Sequence, residues 1–368
     1  MIVCSPQLGL NPNSILGGEV FDREILLGLA KKRVKVEIIL PEGKSHDKNV
    51  QNWHITILSI KHFPAILGNL LIIPYFFKVY SKSQFQIIRL HSPRYLGIGA
   101  LLFKIFKPKV KIVATYHQFG ESNFGPFSKM INNAWDHIIC DSQNVRNRLI
   151  KTYQLPSAKI TVVHNGAPSY LKPGSKDKIQ IKKLKLKGKI VLLFMGLFID
   201  RKNPLFLLNV LSKLSQERSD IVLIFWGDGP LKSQILQKAK ELRVDDKIRI
   251  IGPVFGPGKN KIHNLADIFV HPSIDEGFAL APLEAMACAK PIVITSGYSA
   301  AEAVEDGVNG FFCRPSETNQ WAKKTQDLID NSKLRERMGQ ASFMKVKREF
   351  QWRFSVEKHL EVFKRLLQ

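Results

Sequence analysis

Two glutamates separated by seven residues, Glu276 and Glu284, are the side chains whose type and spacing most clearly suggest chemistry. Pro282 favours the first turn of a helix, and Glu284 is expected in that same turn, where the helix dipole stabilises negative charge. The preceding turn, residues 275–280, then offers free backbone N–H groups, which bind phosphate. Since carboxylates do not bind phosphate, their natural partners here are hydroxyls. The segment therefore predicts a ligand with a central phosphate and hydroxyl-bearing rings at both ends, as in a nucleotide sugar.

Short apolar runs on either side of this segment, residues 268–271 and 291–294, predict two strands joined by a short helix. The stretch EGFALAPLEAMACAKPIV resembles the retaining glycosyltransferases of family 4, which have the GT-B fold. The resemblance implies that Glu276 faces the donor sugar and that Glu284 accepts hydrogen bonds from ribose hydroxyls. Taken alone, the E-x7-E spacing fits equally well a plain βαβ unit with two surface glutamates.

The resemblance also implies a diphosphate site in the second half of the chain. Lys202 matches a family lysine that grips the donor diphosphate. Leu197 stands where the family has an arginine, and we expect Arg201 to supply the missing positive charge from a nearby position. Lys202 alone does not replace that arginine, because arginine binds a diphosphate through two hydrogen bonds whereas lysine acts as a point charge. The other residues assigned to the donor are the turn residues Gly277, Phe278, Ala279 and Leu280, Gly227 in a glycine-rich loop, and Pro253 and Val254 near the nucleobase.

In the first half, His117 follows a predicted strand at residues 111–115, and strand ends in α/β sheets are where ligands bind. A single histidine is more often structural, but the family has a T-x-H segment here whose histidine contacts the donor sugar. Gly17 and Gly18, in a predicted loop after the first strand, match a glycine segment at the family's cleft. On their own they indicate only a tight turn. The predicted catalytic residues are therefore Glu276, His117 and Lys202.

Strands alternate with helices along the whole chain, which predicts an α/β protein. With the resemblance, the expected architecture is GT-B: two Rossmann-like, doubly wound parallel-sheet domains facing an interdomain cleft. The predicted divisions are an acceptor-binding domain at 1–171, a lysine-rich linker at 172–189, a nucleotide-sugar-binding domain at 190–345, and a helix at 346–368 that crosses back to the first domain.

Charge is unevenly distributed. The net charge is +24, and residues 1–189 have 29 basic against 10 acidic residues, so that half attracts polyanions or an anionic membrane surface. The most apolar segment, residues 63–77, is too short to span a bilayer, which leaves a buried helix or a hydrophobic lip that enters one leaflet. Four scattered cysteines and the lack of a signal peptide predict a cytoplasmic protein. The basic first half and the apolar segment extend this prediction to peripheral attachment at the inner face of the cytoplasmic membrane.

The expected reaction is transfer of a sugar from a UDP- or GDP-sugar, with retained configuration, to an acceptor hydroxyl. The expected acceptor is a lipid-linked glycan, lipopolysaccharide or other cell-surface polysaccharide. No cofactor or metal is expected, since no D-x-D motif is evident, and nucleic acid is not an expected partner. Two alternatives stay open: a sugar-nucleotide epimerase on the same fold, and a non-catalytic basic protein that binds nucleic acid.

Overall fold

The structure is a computed structural model, and it describes residues 1–14, 16–61 and 67–368, without the side chain of Ala300. The chain forms two compact units. Unit 1 contains residues 1–165 together with 352–368, and unit 2 contains residues 166–351.

Unit 1 is built on a seven-stranded parallel sheet with the order β3-β2-β1-β4-β5-β6-β7. Its strands are β1 (Ile2–Pro6), β2 (Lys35–Pro41), β3 (Trp53–Leu58), β4 (Ile87–Leu90), β5 (Lys111–Tyr116), β6 (His137–Cys140) and β7 (Ile160–Val162). The central strands are buried along nearly their whole length, because helices cover both faces of a sheet of this kind.

The helices of unit 1 connect these strands in chain order. They are α1 (Gly17–Lys31), α2 (Leu67–Leu71), α3 (Ile73–Ser83), α4 (Pro93–Phe106), α5 (Ser128–Ala134) and α6 (Gln143–Tyr153). Local signals explain several starts: Pro93 opens α4, and the Ser142 side chain accepts a hydrogen bond from Val145 N at the start of α6. Of the apolar segment 63–77, residues 63–66 lie outside the described residues. The rest forms α2, the connecting residue Ile72 and the beginning of α3, and both Ile72 and Phe76 are buried.

Unit 2 has a six-stranded parallel sheet with the order β10-β9-β8-β11-β12-β13. Its strands are β8 (Ile190–Met195), β9 (Ile221–Trp226), β10 (Ile248–Ile251), β11 (Ile268–His271), β12 (Ile292–Thr295) and β13 (Gly310–Cys313). Its helices are α7 (Lys178–Lys183), α8 (Pro204–Leu214), α9 (Lys232–Glu241), α10 (Gly258–Leu265), α11 (Leu280–Ala287), α12 (Thr318–Asp330) and α13 (Ser332–Glu349). Two separate parallel α/β sheets confirm the predicted fold class.

The lysine-rich segment 172–189 is part of unit 2. It contains α7, whose first turn is capped by the Asp177 side chain through Gln180 N at 3.0 Å, and Leu186 is buried in the core. The last helix, α14 (Trp352–Leu367), belongs to unit 1 and packs against α1. The chain therefore returns to the first unit at its end, as the resemblance implied.

No helix among the described residues is both long enough and apolar enough to cross a membrane. All four cysteines are buried.

Candidate functional site

Glu276 is the centre of a charged cluster in unit 2. Its Oε1 atom contacts the ammonium group of Lys202 directly, and Nη1 of Arg201 lies 4.0 Å from the same oxygen. Its Oε2 atom accepts a hydrogen bond from His271 Nε2 at 3.0 Å. The side chain of Glu276 is only 9% exposed. The structure thus brings together three residues that the sequence nominated, Glu276, Lys202 and Arg201, and adds His271.

This cluster keeps Glu276 ionised. Burial alone would raise the pKa of Glu276, but the charge of Lys202 and the hydrogen bond from His271 hold that pKa well below its usual range. Burial lowers the pKa of His271, so its ring is neutral and Nε2–H is the donor to the carboxylate. The result is a buried carboxylate with one cationic partner, Lys202, and one neutral donor, His271.

Strand ends position the three partners of Glu276. His271 is the last residue of β11, and Lys202 lies in a 3₁₀ turn, Asp200–Lys202, shortly after β8. Arg201 O accepts a hydrogen bond from Ile274 N at 2.8 Å, which ties that turn to the loop before Glu276. Parallel strands end at the same edge of the sheet, so residues far apart in sequence meet there.

Gly227 is required where the ends of β8 and β9 approach each other. Its φ is +150°, and a Cβ atom there would lie 2.0 Å from the carbonyl oxygen of Gly196. Any other residue would push the two strand ends apart, and with them the turn that positions Lys202. Gly227 therefore shapes the site through its backbone, which is compatible with its prediction as a donor-binding residue but does not test it.

Glu284 lies on α11 and is almost completely buried. Lys259 Nζ donates to its Oε1 at 2.7 Å, and His263 Nε2 donates to its Oε2 at 3.3 Å. Burial would raise the pKa of Glu284, but Lys259 and His263 lower it below its ordinary value. The expected position of Glu284 is wrong: α11 begins at Leu280, so Glu284 is the fifth helical residue and lies beyond the first turn.

The turn between the two glutamates is largely packed inside unit 2. The Phe278 ring lies 5.5 Å from the ring of Phe350, and Phe278 and Ala279 are buried in the core, so only their backbone amides could face a ligand. Val254 is half-buried and Pro253 is exposed, in the loop that leads into α10. Helix α10 in turn contains both partners of Glu284, Lys259 and His263.

A second polar cluster lies in unit 1, around His117. Its Nε2 atom is 3.2 Å from His91 Nδ1, its Nδ1 atom is 3.6 Å from Asp141 Oδ2, and its backbone N–H donates to Glu121 at 2.7 Å. Burial lowers the pKa of His117, but the hydrogen bond to Asp141 and the nearby carboxylates outweigh it and raise the pKa above its ordinary value. Both ring nitrogens of His117 therefore face protein groups.

Asp22 and Arg89 form a fully buried ion pair beneath this cluster, with Arg89 Nη1 2.5 Å from Asp22 Oδ1. The other oxygen of Asp22 lies 3.0 Å from His91 Nδ1. Burial would raise the pKa of Asp22, but Arg89 and His91 hold it well below its usual range, so the carboxylate is charged.

The predicted glycine loop is wrong in its local structure: Gly17 and Gly18 form the first turn of α1. Helix α1 starts three residues before its apolar pattern begins at Val20, because glycine does not show in such a pattern. The absence of a side chain at Gly18 still matters. A Cβ atom there would lie 3.2 Å from Cε1 of His91, closer than ordinary packing allows.

The sequence did not nominate several residues that complete these clusters: His271, Lys259 and His263 in unit 2, and Asp22 and Arg89 in unit 1. His91 has the same strand-end position as His117 but matches the family less well, and His271 carries a similar signal because it ends a short apolar run. No local signal marks Asp22 or Arg89, which lie within an amphipathic helix and a buried strand.

Two family models match the chain. "Glycosyl transferases group 1" matches residues 175–344, and "Glycosyltransferase Family 4" matches residues 15–169. Together they include every residue of the Glu276, Glu284 and His117 clusters.

Curated relatives are similar at low identity. Spore coat protein SA of Bacillus subtilis is 28% identical over 58% of this chain and 61% of its own length. An uncharacterized glycosyltransferase of Methanocaldococcus jannaschii is 26% identical over 79% of this chain and 78% of its own length. A D-inositol 3-phosphate glycosyltransferase of Mycolicibacterium smegmatis is 29% identical over 53% and 45%. The chain thus spans about 60% or less of the length of most of these relatives.

Solved structures match over the whole chain. A glycosyltransferase from Rickettsia africae has a TM-score of 0.84 at 18% identity, covering 100% of this chain and 98% of the other. HepE from Anabaena, in complex with UDP and glucose, has a TM-score of 0.80 at 18% identity, with coverages of 98% and 99%. At these identities the likeness shows the fold, and it confirms the predicted GT-B architecture.

Proposed function

The chain belongs to the group 1 glycosyl transferases, and from this premise we propose that it transfers a sugar from a nucleoside-diphosphate sugar to an acceptor hydroxyl. The proposal rests on one observation above all: Glu276 is held between Lys202 and the neutral His271 just before the start of α11. A carboxylate for sugar hydroxyls therefore lies in contact with a cation for the diphosphate and a few residues before the helix N-terminal amides.

The ion pair suggests how the donor is accepted. Lys202 is bound to Glu276 in the structure. A diphosphate is a stronger partner for an ammonium group than one carboxylate, because it presents more charge and more acceptor oxygens. We propose that Lys202 turns to the diphosphate, with Arg201 nearby, and frees one oxygen of Glu276 for a sugar hydroxyl. HepE, which shares the fold, has been solved with UDP-glucose, and this supports a nucleotide sugar as the ligand.

The proposed reaction retains configuration at the sugar. The bond from the anomeric carbon to the diphosphate oxygen breaks, a new bond to the acceptor oxygen forms on the same face, and the acceptor proton passes to the leaving phosphate. Negative charge develops on that phosphate, so Lys202, Arg201 and the amides of Gly277 to Leu280 stabilise the transition state. We include His117 as a second contact to the donor sugar, which requires it to give up one of its present partners.

We further propose that no metal takes part. Among the residues that the structure describes, no three His, Cys, Asp or Glu side chains are placed to hold a metal ion together. The cations of Lys202 and Arg201 would instead neutralise the diphosphate. Donor titrations repeated with EDTA test this part: equal affinities with and without the chelator support it, and loss of binding on chelation contradicts it.

The proposed acceptor is attached to a membrane lipid. Leu67, Leu70 and Leu71 of α2 and Ile98 of α4 are exposed, and α2 packs against α4, so these side chains form an apolar surface with the exposed Arg94 beside it. Exposed apolar side chains next to basic ones suit the interface of an anionic bilayer. The basic first half of the chain supports the same partner.

The deciding experiment is calorimetric titration of the protein with UDP-, GDP- and ADP-sugars, followed by a transfer assay with the sugar nucleotide that binds. Binding of at least one donor is expected. If none binds, the proposal fails. An epimerase would convert the bound sugar nucleotide without any acceptor, and this outcome is visible in the same samples by NMR.

Membrane binding is tested separately. Sedimentation with anionic and neutral vesicles, across a range of salt concentrations, is compared with an oligonucleotide shift assay. Preference for anionic vesicles supports the lipid-linked acceptor. Preference for the oligonucleotide at physiological salt favours the nucleic-acid-binding alternative instead.

A further inference from the structure

Two asparagines of α10, Asn260 and Asn264, bind a short backbone segment, residues 172–174, which we call the strap. Asn260 Oδ1 accepts a hydrogen bond from Lys172 N at 2.9 Å, and Asn264 Oδ1 accepts one from Gly174 N at 2.9 Å. Asn264 Nδ2 donates to Lys172 O at 3.0 Å. Three backbone groups of the strap are therefore bound by two side chains of one helix.

Helix α10 depends on such contacts for its position. It has eight residues and no side-chain cap at its N-terminus, and residues 252–257 before it include two glycines and two prolines. So short a helix is marginal by itself in water. Its two apolar side chains, Ile262 and Leu265, are buried in the core. After the strap, Lys176 Nζ lies 2.6 Å from Asp267 Oδ2, two residues beyond the end of α10, so the same segment attaches both the helix and the residue after it.

The same helix holds both partners of Glu284. Lys259 and His263 are four residues apart, and so are Asn260 and Asn264, so each pair lies on one face of α10. The two pairs are offset by one residue, about 100° around the helix axis. One face therefore contacts Glu284 on α11, and the adjacent face contacts the strap. A displacement of α10 would move Lys259 and His263 away from Glu284.

Asn264 is the more deeply buried asparagine, with 2% of its surface exposed. Its Oδ1 must face Gly174 N, because a backbone N–H can only donate. Nδ2 then faces two carbonyl oxygens, Lys172 O at 3.0 Å and Asn260 O at 2.9 Å. The amide thus uses its acceptor and both of its donors, and removing it leaves backbone groups at a buried position without partners, which is costly.

We propose that Asn260 and Asn264 are positioning residues of the nucleotide-sugar site, and that they act on the donor only through α10 and its contacts with Glu284. Their role rests on the proposed function, in which Glu284 binds the ribose. It also assigns the start of the lysine-rich segment a task that its charge does not reveal. The backbone of the strap holds α10 in place, while the Lys172 side chain remains exposed.

Substitutions of the two asparagines test this role by calorimetric titration with the sugar nucleotide that binds the parent protein. Asn264→Ala removes every bond of the amide. Asn264→Asp keeps an acceptor for Gly174 N but places an oxygen against two carbonyl oxygens. Both variants are expected to raise the donor Kd by about fivefold, roughly what one hydrogen bond contributes. Asn260→Ala, which loses the bond to Lys172 N, is expected to show a smaller rise.

The matched control is Asn309→Ala. Asn309 is also buried, at 1% exposed, and its amide also bridges two backbone groups, Glu305 N at 2.7 Å and Ala303 O at 3.2 Å. It directly precedes β13, so it lies at the amino edge of the parallel sheet, opposite the strand ends beside Glu276. A loss of thermal stability similar to that of Asn264→Ala is expected, with an unchanged donor Kd.

A double-mutant cycle separates positioning from a general weakening of the fold. In Glu284→Ala the proposed route from α10 to the donor is absent, so adding Asn264→Ala is expected to change the donor Kd little. A second readout needs no donor. The ¹⁵N ring resonances of His263, whose Nε2 donates to Glu284 Oε2, are expected to shift in Asn264→Ala and to stay in place in Asn309→Ala.

An unchanged donor Kd in Asn264→Ala, or losses that add fully in the cycle with Glu284→Ala, would overturn the positioning role and leave the transfer reaction intact. If no sugar nucleotide binds the parent protein, the proposed function is what fails. The His263 resonances then decide whether the strap positions α10, and unshifted resonances in Asn264→Ala refute it. If the Asn264 variants do not fold, the same measurements on Asn260→Ala, at a half-buried position, give the decision.

Discussion

Lys259 Nζ lies 2.7 Å from Glu284 Oε1, and His263 Nε2 lies 3.3 Å from the other carboxylate oxygen. The residue expected to receive ribose hydroxyls is therefore already occupied on both sides. A carboxylate oxygen accepts more than one hydrogen bond, so a ribose can join these partners without displacing them. The pair keeps Glu284 ionised and oriented before a donor arrives.

Glu284→Ala is expected to weaken donor binding by about tenfold or more, since charge-assisted hydrogen bonds from two ribose hydroxyls are lost. Calorimetric titration with the sugar nucleotide that binds the parent protein measures the effect. Glu217→Ala, at an exposed glutamate of the same unit, is the control. Unchanged affinity in the Glu284 variant would contradict the ribose role.

Lys202→Ala is expected to slow turnover by about a hundredfold while donor Kd changes less, because the charge on the leaving phosphate grows toward the transition state. Steady-state kinetics and titration on the same preparation separate the two effects. The control is Lys240→Ala, at an exposed lysine on α9. A large loss of affinity at normal turnover would place Lys202 in ground-state binding only.

Gly18→Ala is expected to shift the ¹⁵N ring resonances of His91 and His117, because the new Cβ atom lies 3.2 Å from His91 Cε1 and forces that ring to move against its hydrogen-bond partner His117. Alanine favours a helix over glycine by up to about 1 kcal/mol, so thermal stability is expected to stay level or increase. Gly120→Ala, where an added Cβ atom meets nothing within 4 Å, is the matched substitution. Unchanged His91 and His117 resonances in Gly18→Ala would show that the His91 ring accommodates the added methyl group without moving.

Protein stability is expected to fall in acid, partly through His359 on α14. Its ring is fully buried, Nδ1–H donates to Ser355 O at 2.8 Å, and burial, reinforced by the charge of Arg89, lowers its pKa to about 3 from 6.5. The folded state then binds fewer protons than the unfolded state between these values. The contribution is complete above pH 6.5 and is lost as the pH falls toward 3, at up to about 1.4 kcal/mol per pH unit.

The free energy of unfolding in urea is measured between pH 3 and 6.5, with a spectroscopic signal from unit 1, for the parent protein and for His359→Leu. The variant has no proton to take up at this position, so its unfolding free energy is expected to depend less steeply on pH. His54→Leu, at an exposed histidine, serves as the control. Parallel pH curves for the parent and His359→Leu proteins would rule out His359 as a source of the acid sensitivity.

Local patterns predict most of the fold. The apolar runs at residues 190–195 and 221–226 become β8 and β9, and both are buried because a parallel sheet is covered on both faces. Element starts are less predictable. Helix α11 begins at Leu280, before Pro282, and α1 begins at Gly17, since glycine gives no apolar signal. The sequence therefore places Glu284 in the first turn of α11, which it does not occupy, and leaves Gly17 and Gly18 in a loop although they belong to α1.

The sequence by itself determined the two α/β units and nominated Glu276, Lys202 and His117, because strands, helix starts and strand-end residues depend on neighbours a few positions away. Only the tertiary structure decided which partners surround them. Asp22 on α1 is 67 positions from Arg89 and 69 from His91, and Lys259 is 25 positions from Glu284. Their meeting depends on strand order and on the exclusion of water around buried charges, which no local pattern encodes.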